Sequence, residues 1–127
     1  NKLHELDFKN IKLMGRINNP EKIIKNAFLI LRPSRLNDPW GRDIIDACTA
    51  GVPIISTGNF NDIIINNQNS YYVNNFKISK VFLLIKKMSI DKKIYKIFKK
   101  NLIKQSKIKL NTRSNINKFE KILEKLN

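Results

Sequence analysis

The chain has 127 residues, 42% of them apolar, enough to bury one core of useful size but not two full domains. No run of eighteen uncharged apolar residues occurs, and no basic start leads into an apolar stretch with a small-residue cleavage site, so the sequence predicts neither a membrane span nor a signal peptide and reads as cytoplasmic. Cys48 is the only cysteine and His4 the only histidine, which excludes an internal disulfide and any zinc cluster, while the formal charge of +15 is concentrated late: residues 1–76 carry nine Lys/Arg against seven Asp/Glu (+2), and residues 77–127 sixteen against three (+13).

In chain order, Ile11-Lys12-Leu13-Met14 is a short strand candidate, and Asn19-Pro20-Glu21 then supplies a helix start, with Asn as cap and Pro at the first helical position. Phe28-Leu29-Ile30-Leu31 is a continuous apolar run ended by Pro33. Pro53-Ile54-Ile55-Ser56-Thr57 is another, between Gly51 and Gly58. Runs that are apolar on both faces suit parallel strands covered by helices on each side. Between them Arg42–Ala50 reads as a helix, with Asp43 near its positive end and Gly51 placed to close it.

Asp62-Ile63-Ile64-Ile65 is read as a single helical turn, and Tyr71-Tyr72-Val73 as a last short strand after a polar turn over 66–70. From there on, apolar residues recur every three or four positions: Ile78, Val81, Phe82, Ile85, Met88; then Ile94, Ile97, Phe98, Leu102; then Ile116, Phe119, Ile122, Leu123, Leu126. That is the period of half-buried helices. The expected organisation is therefore an α/β core over 1–76, Rossmann-like with a mostly parallel sheet flanked by helices, and a basic amphipathic helical tail over 77–127.

The chemistry is concentrated between residues 31 and 57. A polar loop there follows the carboxyl end of a buried strand, where open parallel sheets bind ligands, and a helix begins directly after it. Gly41 keeps a side chain out of the way, and the amides of Gly41, Arg42 and Asp43 face outward at the positive end of the helix dipole, a place for a phosphate or an electron-rich sugar oxygen. Asp38 in the loop and Asp46 on the helix, seven residues between them, offer two carboxylates to one cleft. Carboxylates accept hydroxyl protons from polyhydroxylated ligands in charge-assisted bonds. Without further information this is a nucleotide or sugar-phosphate pocket, against the alternative that these acids merely cap loop and helix. Trp40 is either a stacking platform for base or sugar or a packing anchor. Arg42 pairs either with a diphosphate or with Asp38 or Asp43. Ser34 is a ligand contact or a loop cap, and Cys48 is a small core residue.

Pro33-Ser34, then Asp38-Pro39-Trp40-Gly41-Arg42, then Asp46-Ala47 and Gly51-Val52-Pro53-Ile54-Ile55-Ser56-Thr57 resemble in order and spacing the signature of group 1 retaining glycosyltransferases, enzymes of the GT-B fold. Residues 11–16 and 27–34 resemble that family's strand-Gly segment and its strand ending in Pro-Ser. The resemblance implies that Asp38 holds donor-sugar hydroxyls near the reacting carbon and serves as the catalytic-site carboxylate, and that Asp46 holds the ribose hydroxyls. Ser34 and the segment around Trp40, Gly41, Arg42 and Asp43 complete the donor site. It also implies sugar transfer from a nucleotide diphosphate donor to a hydroxyl acceptor with retention, without a metal or other cofactor. Both family glutamates are aspartates here, which keeps the charge and shortens its reach. The family's diphosphate-neutralising Gly-Arg turn is expected upstream; the short gap after Lys22 marks Gly15-Arg16 as the later Gly turn. The resemblance thus implies a partial carboxy-terminal domain, inert alone, whose amino-terminal acceptor-binding domain lies elsewhere.

The basic tail admits other partners. Lys outnumbers Arg and no aromatic-basic interleaving occurs, so nucleic acid is an unlikely partner. A Lys-rich amphipathic helix held against anionic lipid at the inner face of the membrane is a possible one. Another sugar-nucleotide enzyme, such as an epimerase, shares the expected architecture.

Overall fold

A computed structural model describes residues 10–34, 41–57, 63–74 and 76–125. The element order is α1 (Pro20–Asn26), β1 (Ile30–Arg32), α2 (Arg42–Ala50), β2 (Ile54–Ser56), β3 (Tyr71–Tyr72), α3 (Ile78–Ile90), α4 (Lys92–Lys109) and α5 (Thr112–Leu123). Among the described residues the three strands form one sheet in the order β1-β2-β3. Both pairings are parallel, with Ile30 opposite Ile54 and Ile55 opposite Tyr71. The expected α/β class, a parallel sheet flanked by helices and followed by further helices, is what the chain forms.

Side chains along a strand point alternately to the two faces, and Ile54 and Ile55 accordingly enter different cores. Ile54 joins Ile44, Ala47 and Cys48 of α2 with Ile30 and Ile24 at the periphery. Ile55 joins Tyr71, Val73, Val81 and Met88. Helix α4 contributes to both, through Leu102 on the α2 side and Phe98 on the α3 side, so the core is not confined to residues 1–76. Phe98 meets Tyr71 edge-on at 5.1 Å. Tyr95 of the same helix stacks on Phe28 at 4.7 Å and donates its hydroxyl to the Phe28 carbonyl at 2.9 Å, which ties α4 to the entry of β1.

Local chemistry sets the element ends. Pro20 opens α1 without needing an amide partner, although the Asn19 side chain makes no capping bond. Gly51 closes α2 in the left-handed region, φ 68°. Its missing side chain also admits α4, since a Cβ there would meet Ile103 at 2.8 Å. Asp91 caps α4 by accepting from the amides of Lys93 and Ile94 at 2.9 and 3.0 Å. Asn69, wholly buried, bridges the turn before β3: its Oδ1 accepts from the Ile65 amide and its Nδ2 donates to the Ile63 carbonyl, both at 2.8 Å.

Two further sequence expectations differ from the structure. Residues 11–14 form no strand; Ile11, Leu13 and Met14 are exposed. A strand is completed only by a neighbour's hydrogen bonds, and among the described residues none runs alongside. The helical turn expected from Asp62 falls partly outside the described residues, and Ile63–Ile65, numbered 63–65, is turn and irregular chain whose Ile63 and Ile64 are buried. Ile63 and Ile64 fill the core beside Ile54 without adopting a helix, and β-branching disfavours the helix further.

Candidate functional site

At the carboxyl ends of β1 and β2 the backbone is stitched across: the Thr57 amide donates to the Arg32 carbonyl at 3.2 Å, and the Thr57 hydroxyl to the Ser34 carbonyl at 2.6 Å. Ser34 is thus placed at the strand's end with its carbonyl engaged. Asp38 and Trp40, which follow in the sequence, lie outside the described residues. The chain resumes at Gly41, the N-cap of α2, in extended conformation with φ −145°. Among the described residues the amides of Gly41, Arg42 and Asp43 have no hydrogen-bond partner; the first intrahelical bond of α2 is donated by Ile44 to the Gly41 carbonyl at 3.0 Å. These are donors of a helix amino terminus, where the dipole favours an anion.

The carboxylate of Asp43 lies in the first turn of α2. It folds back to Arg32, Nε to Oδ2 3.1 Å, with the guanidinium largely buried and the carboxylate partly exposed. This pair lies over the Gly41 Cα: a side chain there would collide with the Asp43 carboxylate and meet the Arg32 guanidinium at 2.8 Å. The space above Gly41 expected to admit a ligand therefore also holds an ion pair. Sequence reasoning missed Arg32, because its partner lies eleven positions away across a loop and no periodicity links them.

Asp46 sits one turn further along α2 with its side chain 19% exposed, 3.8 Å from Arg42 Nε. Arg42 itself is open to solvent and pairs with this residue, not with Asp43, because i and i+4 share a helix face. Asp46 lines a groove of about 440 Å³ between α1 and α2, together with Thr49, Ala50 and, from α1, Glu21, Lys22 and Lys25. The contribution of α1 was not foreseen; its only sequence signal is the Lys22–Lys25 spacing on one face of a helix. The groove thus combines acceptors for hydroxyls with two cationic side chains.

Two buried groups complete the surroundings. Ser56, at the end of β2, has a fully buried hydroxyl with no hydrogen-bond partner among the described residues. Cys48 faces the core, and burial pushes its thiol up to about 12, which makes it an inert packing residue as expected. Among the described residues no three His, Cys, Asp or Glu side chains are grouped to share a metal ion.

The family described as glycosyl transferases group 1 matches residues 2–105 of this chain. The crystal structure of HepE from Anabaena in complex with UDP-glucose is similar in fold, with a TM-score of 0.73 at 15% sequence identity over 87% of this chain. The chain spans 30% of the length of that protein. No curated protein matches it.

Proposed function

This chain belongs to the glycosyl transferases of group 1, and we propose that it grips the nucleotide diphosphate sugar within a longer enzyme that transfers the sugar to a hydroxyl acceptor with retained anomeric configuration. The observation that carries this reading is the placement of Asp46. It is a mostly buried carboxylate in a groove beside Lys22 and Lys25, one helical turn from amides at residues 41–43 that have no partner among the described residues. Asp46 accepts the ribose hydroxyls, and the amides with the α2 dipole hold diphosphate oxygens. Asp38 holds hydroxyls of the donor sugar near the reacting carbon, and Trp40 and Ser34 border that sugar. No metal is required, because fixed N–H donors and basic side chains balance the charge that develops on the departing diphosphate. Asp43 assists indirectly: its pairing with Arg32 fixes the start of α2 and so the direction of the amides. HepE, crystallised with UDP-glucose on a similar fold, supports a nucleotide sugar as the donor class. The acceptor site is assigned to the part of the longer enzyme beyond this chain, which spans 30% of the length of HepE.

Calorimetric titration of the full-length enzyme with nucleotide sugar tests the assignment. Asp46→Ala is expected to weaken binding about 10- to 100-fold, the loss of one or two charge-assisted hydrogen bonds. Affinity unchanged by that substitution removes the ribose role.

A further inference from the structure

Helix α3 is apolar on more than the side it buries. Val81, Leu84, Ile85 and Met88 pack inward, yet Ile78, Phe82, Leu83 and Ile90 are 82%, 62%, 64% and 70% exposed. A helix hydrophobic on both sides is normally enclosed, and clustered exposed apolar side chains mark an interaction surface. Here they are interleaved with lysine: at three- and four-residue spacings Phe82 and Leu83 neighbour Lys86, and Ile90 neighbours Lys86 and Lys87. Helix α4, joined directly through Asp91, repeats exposed lysines at 93, 96, 100, 104 and 107 along its solvent side. Between residues 77 and 119 the only acidic residue is Asp91, and its carboxylate is committed to capping α4.

We propose that the exposed side of α3 docks on an anionic lipid bilayer, with Phe82, Leu83 and Ile90 inserted at the acyl boundary and the neighbouring Lys80, Lys86 and Lys87 at the headgroups. A lipid surface fits because it takes both components, burying apolar side chains while its negative charge matches a cationic surround whose one carboxylate is tied up as a helix cap. A nucleic acid would match the lysines and leave four large apolar groups in water. A soluble apolar protein surface would leave the lysines unbalanced. The long lysine stems allow the charged ends to reach headgroups while the apolar residues sit deeper. The inference stands apart from the donor site and does not depend on it.

Co-sedimentation of the full chain with phosphatidylcholine vesicles, and with vesicles carrying about a third phosphatidylglycerol, tests the proposal at near-physiological salt. Binding to the anionic vesicles only is expected. Phe82→Ser with Leu83→Ser should lower the partition by about tenfold or more, and Lys80→Glu with Lys86→Glu by a similar factor, since both components are needed. All four positions are exposed, so an unchanged melting temperature separates lost docking from lost fold. Should the serine variant fold poorly, the glutamate variant carries the test. Equal binding to neutral and anionic vesicles, no binding to either, or full binding by the serine variant with displacement by RNA overturns it.

Discussion

At Gly41 the backbone is extended, a conformation open to any residue, so its need for glycine comes from what lies above it. The Asp43–Arg32 pair occupies the place of a Cβ. Gly41→Ala should therefore displace that pair and cost about 1 kcal/mol, a modest figure because the carboxylate is partly exposed and screened. Most of the cost should vanish in an Asp43→Ala background, which a double-mutant cycle of melting curves would read. Ser56 gives the opposite sign. Its buried hydroxyl is without a partner among the described residues, so Ser56→Ala is expected to raise stability by about 1 kcal/mol; a loss on urea denaturation would instead point to a partner for that hydroxyl. Cys48 ties stability to pH. Its folded pKa of about 12 stands above the ordinary 9.0, so the unfolded chain ionises first. The neutral thiol's contribution is complete below 9.0 and is lost as pH rises towards about 12. Between about pH 8 and about pH 10.5, the wild type should lose up to about 2 kcal/mol more than Cys48→Ala, measured by urea unfolding.

Among the elements, α4 holds the two cores together and α5 holds neither. Leu102 lies at the α2 side, Phe98 beside Tyr71, and Gly51 admits Ile103 where α2 ends. Leu102→Ala should cost about 2–5 kcal/mol in chemical denaturation. No residue of α5 is buried, and its apolar side chains Ile116, Phe119 and Ile122 are exposed. A chain ending after Leu110 is therefore expected to melt within about 2 °C of the intact one, whereas ending it after Asp91 should abolish the cooperative transition seen by circular dichroism. The sequence pattern showed both helices as amphipathic. It did not show which of their faces had partners.

Across the whole molecule, the order of strands and helices was legible because each has a local cause. Pro20 starts α1, Gly51 stops α2, and the apolar runs at Ile30 and Ile54 read as parallel strands because both of their faces needed covering. The family was legible for the same reason, since its loop, helix and strand signature sits in one contiguous stretch between residues 33 and 57. The strand expected at 11–14 shows where this fails: a strand depends on a neighbour that no local spacing announces. Likewise Arg32 with Asp43, Arg42 with Asp46, and the joining of Asp46 to Lys22 and Lys25 in one groove belong to residues brought near by packing. The sequence by itself thus determined the helices, the strands at Ile30 and Ile54 and the α/β class, because these follow from backbone propensity and hydrophobic period within a few neighbouring positions. Only the tertiary structure decided which charges meet, which glycine is crowded and which apolar faces stay open to water, because those outcomes depend on distances between segments that local spacing does not encode.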